Sequence, residues 1–164
     1  MREGLGPLLV LIGAPGLICL LTLVTVLFPR IAGAAQRSAA AMPGRSLLLG
    51  VVNLLFFTAL VVVLTAAGER ASSRSGVLEV LALAPALVLA AGMTVGLAAM
   101  SALIGDRMVP QRGPISQVVI GAAALVLAGL TPFLGWFLFF PVTALVGLGG
   151  VVIGLFSRAP EPPA

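Results

Sequence analysis

Apolar residues run through this chain in long blocks, not in the alternation of a strand or the one-sided stripe of a surface helix. The first block covers 7–28, with Gly13 and Pro15 inside it, and stops at Pro29-Arg30. The second covers 46–67 without a charge and stops at Gly68-Glu69-Arg70. The third covers 77–104, carries the single charge of Glu79, and stops at Gly105-Asp106-Arg107. A bilayer core about 30 Å thick takes about 20 residues of helix to cross, so each block predicts one transmembrane helix.

The fourth block runs uncharged from Ser116 to Phe156. As one helix it would measure roughly 60 Å, about twice the membrane. The sequence Thr131-Pro132-Phe133-Leu134-Gly135-Trp136 supplies a turn. Pro132 cannot continue the helical ladder, Gly135 admits a positive φ, and Trp136 favours the headgroup level. Two helices follow, 115–131 and 136–157, joined as a tight hairpin. The first arm is short for a full crossing, which leaves a partly re-entrant pair as the alternative. Uncharged runs of this length are not the alternating segments of a membrane barrel. In lipid each backbone N–H must also find its acceptor within its own segment. The predicted fold is therefore all-α: a polytopic integral membrane helix bundle of about five transmembrane helices, a single membrane domain over 1–164. The tail 158–164 is too short and proline-rich to fold.

Composition agrees with that medium. Hydrophobic residues make up 60% of the chain and charged residues 9%, with a mean hydropathy of +1.24. A soluble domain carries about 25% charged residues. All nine basic residues are arginine, and the net charge is +4. They are scattered over short loops and form no patch, which argues against nucleic acid and for loops held at an anionic membrane face. Membrane lipids are the first expected partner. Loop arginines also give an orientation. With five crossings, Arg30, Arg37, Arg45, Arg107, Arg112 and Arg158 fall on one side, and Arg2, Arg70 and Arg74 on the other. The positive-inside rule then puts the N-terminus outside and the C-terminus in the cytoplasm. A competing reading takes the first block as a signal peptide cleaved at Ala32-Gly33-Ala34, but the apolar stretch is longer than such segments and Pro29-Arg30 fall just before the site. The 30–45 loop, rich in alanine, is either a short surface helix touching anionic lipid or a plain connector. Arg30 and Arg37, seven apart, would share one helical face.

Candidate chemistry is sparse. There is no His or Tyr, and the single cysteine, Cys19, excludes an intrachain disulfide. No nucleotide-binding glycine loop, paired carboxylates, metal-spaced ligands or nucleophile triad is present, so no catalytic residue, cofactor or metal is expected. Glu79 is the ionisable group within an apolar run, which makes it a functional candidate. It also sits near the start of its span, within reach of an interfacial pairing with Arg70 and Arg74. Asn53 in the second span is expected to hydrogen-bond another helix. Pro15 and Pro85 interrupt their spans, as in ordinary membrane helices or in the broken helices of transporters. Phe133, Trp136, Phe137, Phe139 and Phe140 form an aromatic belt at the hairpin tip.

Small residues give the fuller pattern. Gly92 and Gly96 form a GxxxG in the third span. Gly121, Ala124 and Ala128 share a face of the fourth. Thr143, Gly147, Gly150 and Gly154 line a face of the fifth. Helices in lipid associate by close backbone approach, which small residues allow. The pattern predicts a compact bundle or a dimer face.

Gly105-Asp106-Arg107, then an apolar arm, Thr131-Pro-Phe-Leu-Gly-Trp136 and Gly147-Leu-Gly-Gly150 resemble the C-terminal membrane region of some bacterial bactofilin-like (polymer-forming cytoskeletal) proteins. Pro43-Gly-Arg-Ser-Leu-Leu-Leu-Gly50 also fits that region. The likeness covers about two thirds of the chain, without the β-helical polymer-forming part. It implies a module of the bacterial inner membrane, such as an anchor. The expected function is a non-enzymatic structural or accessory membrane subunit that packs with itself or with a larger membrane complex. The alternative is a small transporter or channel using Glu79 and Asn53.

Overall fold

A computed structural model describes residues 5–70, 75–129, 133 and 135–156, and their side chains apart from those of 5–12, 69–70, 75–79 and 136. Among the described residues six helices follow one another: α1 (Leu5–Leu27), α2 (Pro29–Ala41), α3 (Pro43–Arg70), α4 (Ser75–Met108), α5 (Pro114–Gly129) and α6 (Phe140–Phe156). A π-helical turn, Gly135–Phe139, leads into α6.

Proline sets the breaks. Helices α2, α3 and α5 each begin on one, at Pro29, Pro43 and Pro114. A first-position proline loses nothing, because that N–H has no partner within the helix. The residue ahead of a proline is pushed out of the α region. Phe28 (φ −123°, ψ 54°) and Met42 (φ −140°, ψ 68°) are those residues, and they flank α2. Hydrogen bonding carries across both breaks: Phe28 N–H donates to Val24 O at 2.9 Å and Ala32 N–H to Phe28 O at 3.0 Å. Met42 N–H donates to Ser38 O, and Ser46 N–H to Met42 O, both at 3.0 Å. The backbone thus turns sharply with few polar groups orphaned, as hydrocarbon requires. The segment after Arg30 is a helix, and it turns 103° away from α1.

Pro141 accounts for the π turn. It removes one helical donor and crowds the carbonyl four residues back, and a widened turn just upstream relieves both. Thr143 Oγ1 donates to the nearby Phe139 carbonyl at 2.6 Å. Gly135 opens this turn and is buried, and among the described glycines none has a positive φ. Gly135 thus enters the π turn without the positive φ that its sequence position admits. Pro132 lies outside the described residues, as does the side chain of Trp136.

Contacts fix the helix directions. Ser46 faces Gly149 and Gly50 faces Leu145, so α3 and α6 run antiparallel. Gly105 faces Gln117 and Ser101 faces Gly121, so α4 and α5 are antiparallel too. Gly96 abuts Gly147, and Ala99 clusters with Val151, so α4 and α6 run parallel. Helix α1 leans on this core through Leu21, packed with Leu97, Ala98, Ala122 and Leu125. The order is an up-and-down bundle with α2 laid against α4 and α6.

Three helical segments are long and apolar enough to cross a membrane alone: Pro43–Gly68, Val80–Met108 and Phe137–Phe156. Of α1, the stretch Gly13–Leu27 reaches that length together with Pro29–Ala41 of α2, across the 103° bend. Helix α5 has 16 residues, about 24 Å of helix against a core of about 30 Å. Among the described residues three such helices, or four with the bent pair, stand where the blocks suggested about five crossings with one short arm. Helix α5, 16 residues from Pro114 to Gly129, is the arm that falls short on length, whereas α1 has 23 residues, Leu5–Leu27.

Candidate functional site

The described hydroxyls in the apolar stretches mostly return to their own helices. Thr22, Thr25, Thr94 and Ser101 each donate to the carbonyl four residues back at 2.8–2.9 Å. Asn53 does the same with its amide, Nδ2 donating to Leu49 O at 2.9 Å. The amide therefore bonds within α3, not across to another helix as the sequence suggested. It is half-buried, on the face that also presents Gly50 and Phe57. Glu79 lies near the start of α4, and its side chain is outside the described residues. Asn53 sits about 25 Å of helix from the end where α3 hands over to α4, and Glu79 about 6 Å from it. The helix register thus keeps these two positions at different depths. Pro85 is buried within a continuous α4, and Pro15 is exposed within α1. Cys19 is exposed. Among the described residues no three His, Cys, Asp or Glu side chains gather as metal ligands.

The structure does bring small residues together, in four seams. A Cβ placed on Gly96 would stand 2.5 Å from the Gly147 carbonyl carbon, and one on Gly147 would meet Gly96 equally closely. A Cβ on Gly92 would stand 2.8 Å from a Leu148 methyl. These positions join α4 to α6. The second seam joins α4 to α5, where a Cβ on Gly121 would overlap Ser101 O and one on Gly105 would overlap Gln117 O. The third joins α3 to α6, where Gly149 covers Ser46 O and Gly50 covers Leu145 O. The fourth joins α2 to α6: Gly150 lies over Ala35, its Cβ position 2.8 Å from Ala35 O, and Gly154 lies over Ala34 at 3.0 Å. Thus Gly147 and the Gly150/Gly154 pair, on one line of the sequence, serve different neighbours. Helix α6 meets α3, α4 and α2 on three sides.

Gly50, Gly105 and Gly149 make some of the tightest approaches, yet none belongs to a helix-packing motif singled out above. The available signal was serine. Ser46-xxx-Gly50 and Ser101-xxx-Gly105 have the four-residue spacing of small-xxx-small pairs. Both serines are fully buried. Ser46 differs in one respect: its Oγ is buried with no hydrogen-bond partner.

Among the described side chains, charge collects at one end. Arg30, Arg37, Arg45, Arg107 and Arg112 are all exposed and lie at or near the helix ends Leu27, Ala41, Pro43, Met108 and Pro114. The antiparallel pairings put those ends together. Among the described residues no arginine is paired with a carboxylate, and Arg45 reaches Met42 Sδ at 3.4 Å. Asp106, the acid at this end, accepts from Gln117 Nε2 at 3.3 Å. The same amide reaches Val109 O and Pro110 O at 3.4 and 3.5 Å, which ties down the α4–α5 turn. On α2, Ala32, Ala35 and Ala39 are buried while Arg30 and Arg37 are exposed. The helix is two-sided, with small residues toward the bundle.

Comparison of the chain with protein-family models, with curated proteins and with solved structures finds no match.

Proposed function

We propose that this chain is a non-enzymatic membrane subunit or anchor of the bacterial inner membrane, built to pack rather than to conduct. In this reading it crosses five times, with the N-terminus outside and the arginine-bearing end in the cytoplasm. Helix α2 lies along that cytoplasmic face, and the short α5 with the π turn forms the outer hairpin. The observation that carries the proposal is the set of backbone-to-backbone approaches at Gly50, Gly96, Gly121, Gly147 and Gly149. They occupy the helix interfaces where a polar pathway would have to run. The likeness of the Thr131–Trp136 turn to bactofilin-like membrane regions supports an anchoring role. The apolar stretch of α3 is mostly exposed, as suits a helix that faces lipid.

Two measurements on one preparation test it. Vesicles reconstituted with the protein should show proton and cation flux at the level of protein-free vesicles, for the wild type and for Glu79→Gln alike. Cross-linking in native membranes followed by mass spectrometry should capture a membrane-protein partner or a second copy. Flux well above background that Glu79→Gln abolishes would replace this reading with a transporter.

A further inference from the structure

A cleft of about 210 Å³ opens between the end of α1 and the start of α5. Thr22, Thr25 and Val26 of α1 and Pro29 of α2 form one wall, and Pro114, Ile115 and Val118 of α5 the other. The threonine hydroxyl hydrogens are spent on Ile18 O and Leu21 O. What the cleft presents is therefore hydrocarbon. Its volume is below the roughly 300–1,000 Å³ of ordinary small-molecule pockets, and it suits a single hydrocarbon chain. Position gives it a second property. It lies at the arginine-bearing end, with Arg30 directly after Pro29 and Arg112 two residues before Pro114. Both arginines are exposed and unpaired with carboxylates among the described residues, so their charge is free for a ligand. An apolar slot beside uncompensated positive charge complements one molecule abundant in this medium.

We infer that the α1–α5 cleft holds one anionic phospholipid, an acyl chain against Thr25, Val26 and Ile115 and the phosphate between Arg30 and Arg112. The inference rests on the chain lying in a membrane but not on its being an accessory subunit. Lipid here wedges α1 against α5, two helices joined chiefly through Leu21, Ala122 and Leu125. The site discriminates by headgroup charge, because the slot itself is blind to it.

The test is native mass spectrometry of the detergent-extracted protein, mixed with equal amounts of phosphatidylglycerol and phosphatidylcholine. The wild type should retain one phosphatidylglycerol in preference. Arg30→Gln and Arg112→Gln should each lower that preference by roughly fivefold, as expected for one basic residue near an anionic headgroup. Ile115→Trp, at an exposed position on the cleft wall, should block retention, while Arg45→Gln, away from the cleft, should leave it unchanged. Equal retention of both lipids by the wild type overturns the inference and leaves the membrane reading standing. So does a preference that survives Ile115→Trp, since it would belong to the basic surface at large. Retention of no lipid or detergent at all would overturn the membrane reading with it.

Discussion

Gly44 and Gly50 lie in the same helix, six residues apart, and do opposite work. A Cβ on Gly44 meets nothing within 4 Å, whereas one on Gly50 overlaps the Leu145 carbonyl. Gly44→Ala should therefore hold or raise stability, by up to about 1 kcal/mol from helix propensity. Gly50→Ala should cost about 1–3 kcal/mol, because two backbones must part. Ser46→Ala, between them, removes a buried hydroxyl that has no partner. Its loss should cost nothing and return up to about 1 kcal/mol. Thermal unfolding midpoints of the three variants in one detergent check the order, and a stable Gly50→Ala would sink the account of the seam. These distinctions are only partly legible in sequence. Glycine in a span announces close packing somewhere, but Gly44 and Gly50 look alike until α6 is laid beside them. Gly105 reads as a stop signal beside Asp106 and Arg107, yet its backbone lies against Gln117.

Helix α2 shows what pattern can and cannot say about a segment. Its alanines and its arginines seven apart permit a helix, and the prolines at 29 and 43 mark its ends. Nothing in that stretch names its partner, because alanine faces are alike. The glycines at 150 and 154, more than a hundred residues on, decide it. Ala35→Leu should lift α2 off α6 at a cost of about 1–3 kcal/mol. Trypsin reads this directly. Cleavage after Arg37 should speed up by roughly tenfold in the variant, since proteolysis tracks the population of the opened form. Cleavage after Arg112, in the exposed turn before α5, should not change. Equal acceleration at both sites would mean general unfolding and not release of α2. The hairpin is the other instructive element. Its existence follows from an apolar run twice as long as a bilayer is thick. Its geometry does not, since Pro141 and the π turn shape the entry to α6 without any positive φ among the described glycines.

Among the described side chains, the arginines gather at one end of the bundle, opposite the end where α3 passes to α4. Solvation energy allows this polarity, and the cell's handling of arginine decides which way it points. Cysteine labelling in a Cys19→Ser background checks the proposed orientation. Gln111→Cys, in the turn between α4 and α5, should resist an impermeant maleimide in intact cells and react after permeabilisation. Phe133→Cys, at the hairpin tip, should react in both. The reverse pattern would invert the molecule. The coarse architecture, long apolar helices in an all-α bundle, is written in composition and block length alone. The number of full crossings is not, because a 16-residue arm satisfies the same hydrophobic count without the length to cross.

Helix α6 is flanked by α2, α3 and α4, and every one of them is translated before it. Until the ribosome delivers it, the alanine face of α2 and the Ser46 and Gly96 surfaces have no mate. Packing of these faces is thus deferred until α6 arrives, and nascent chains interrupted upstream of Phe140 hold unmatched surfaces, the kind that quality control engages. The order of synthesis makes α6 the piece that the surfaces of α2, α3 and α4 wait for.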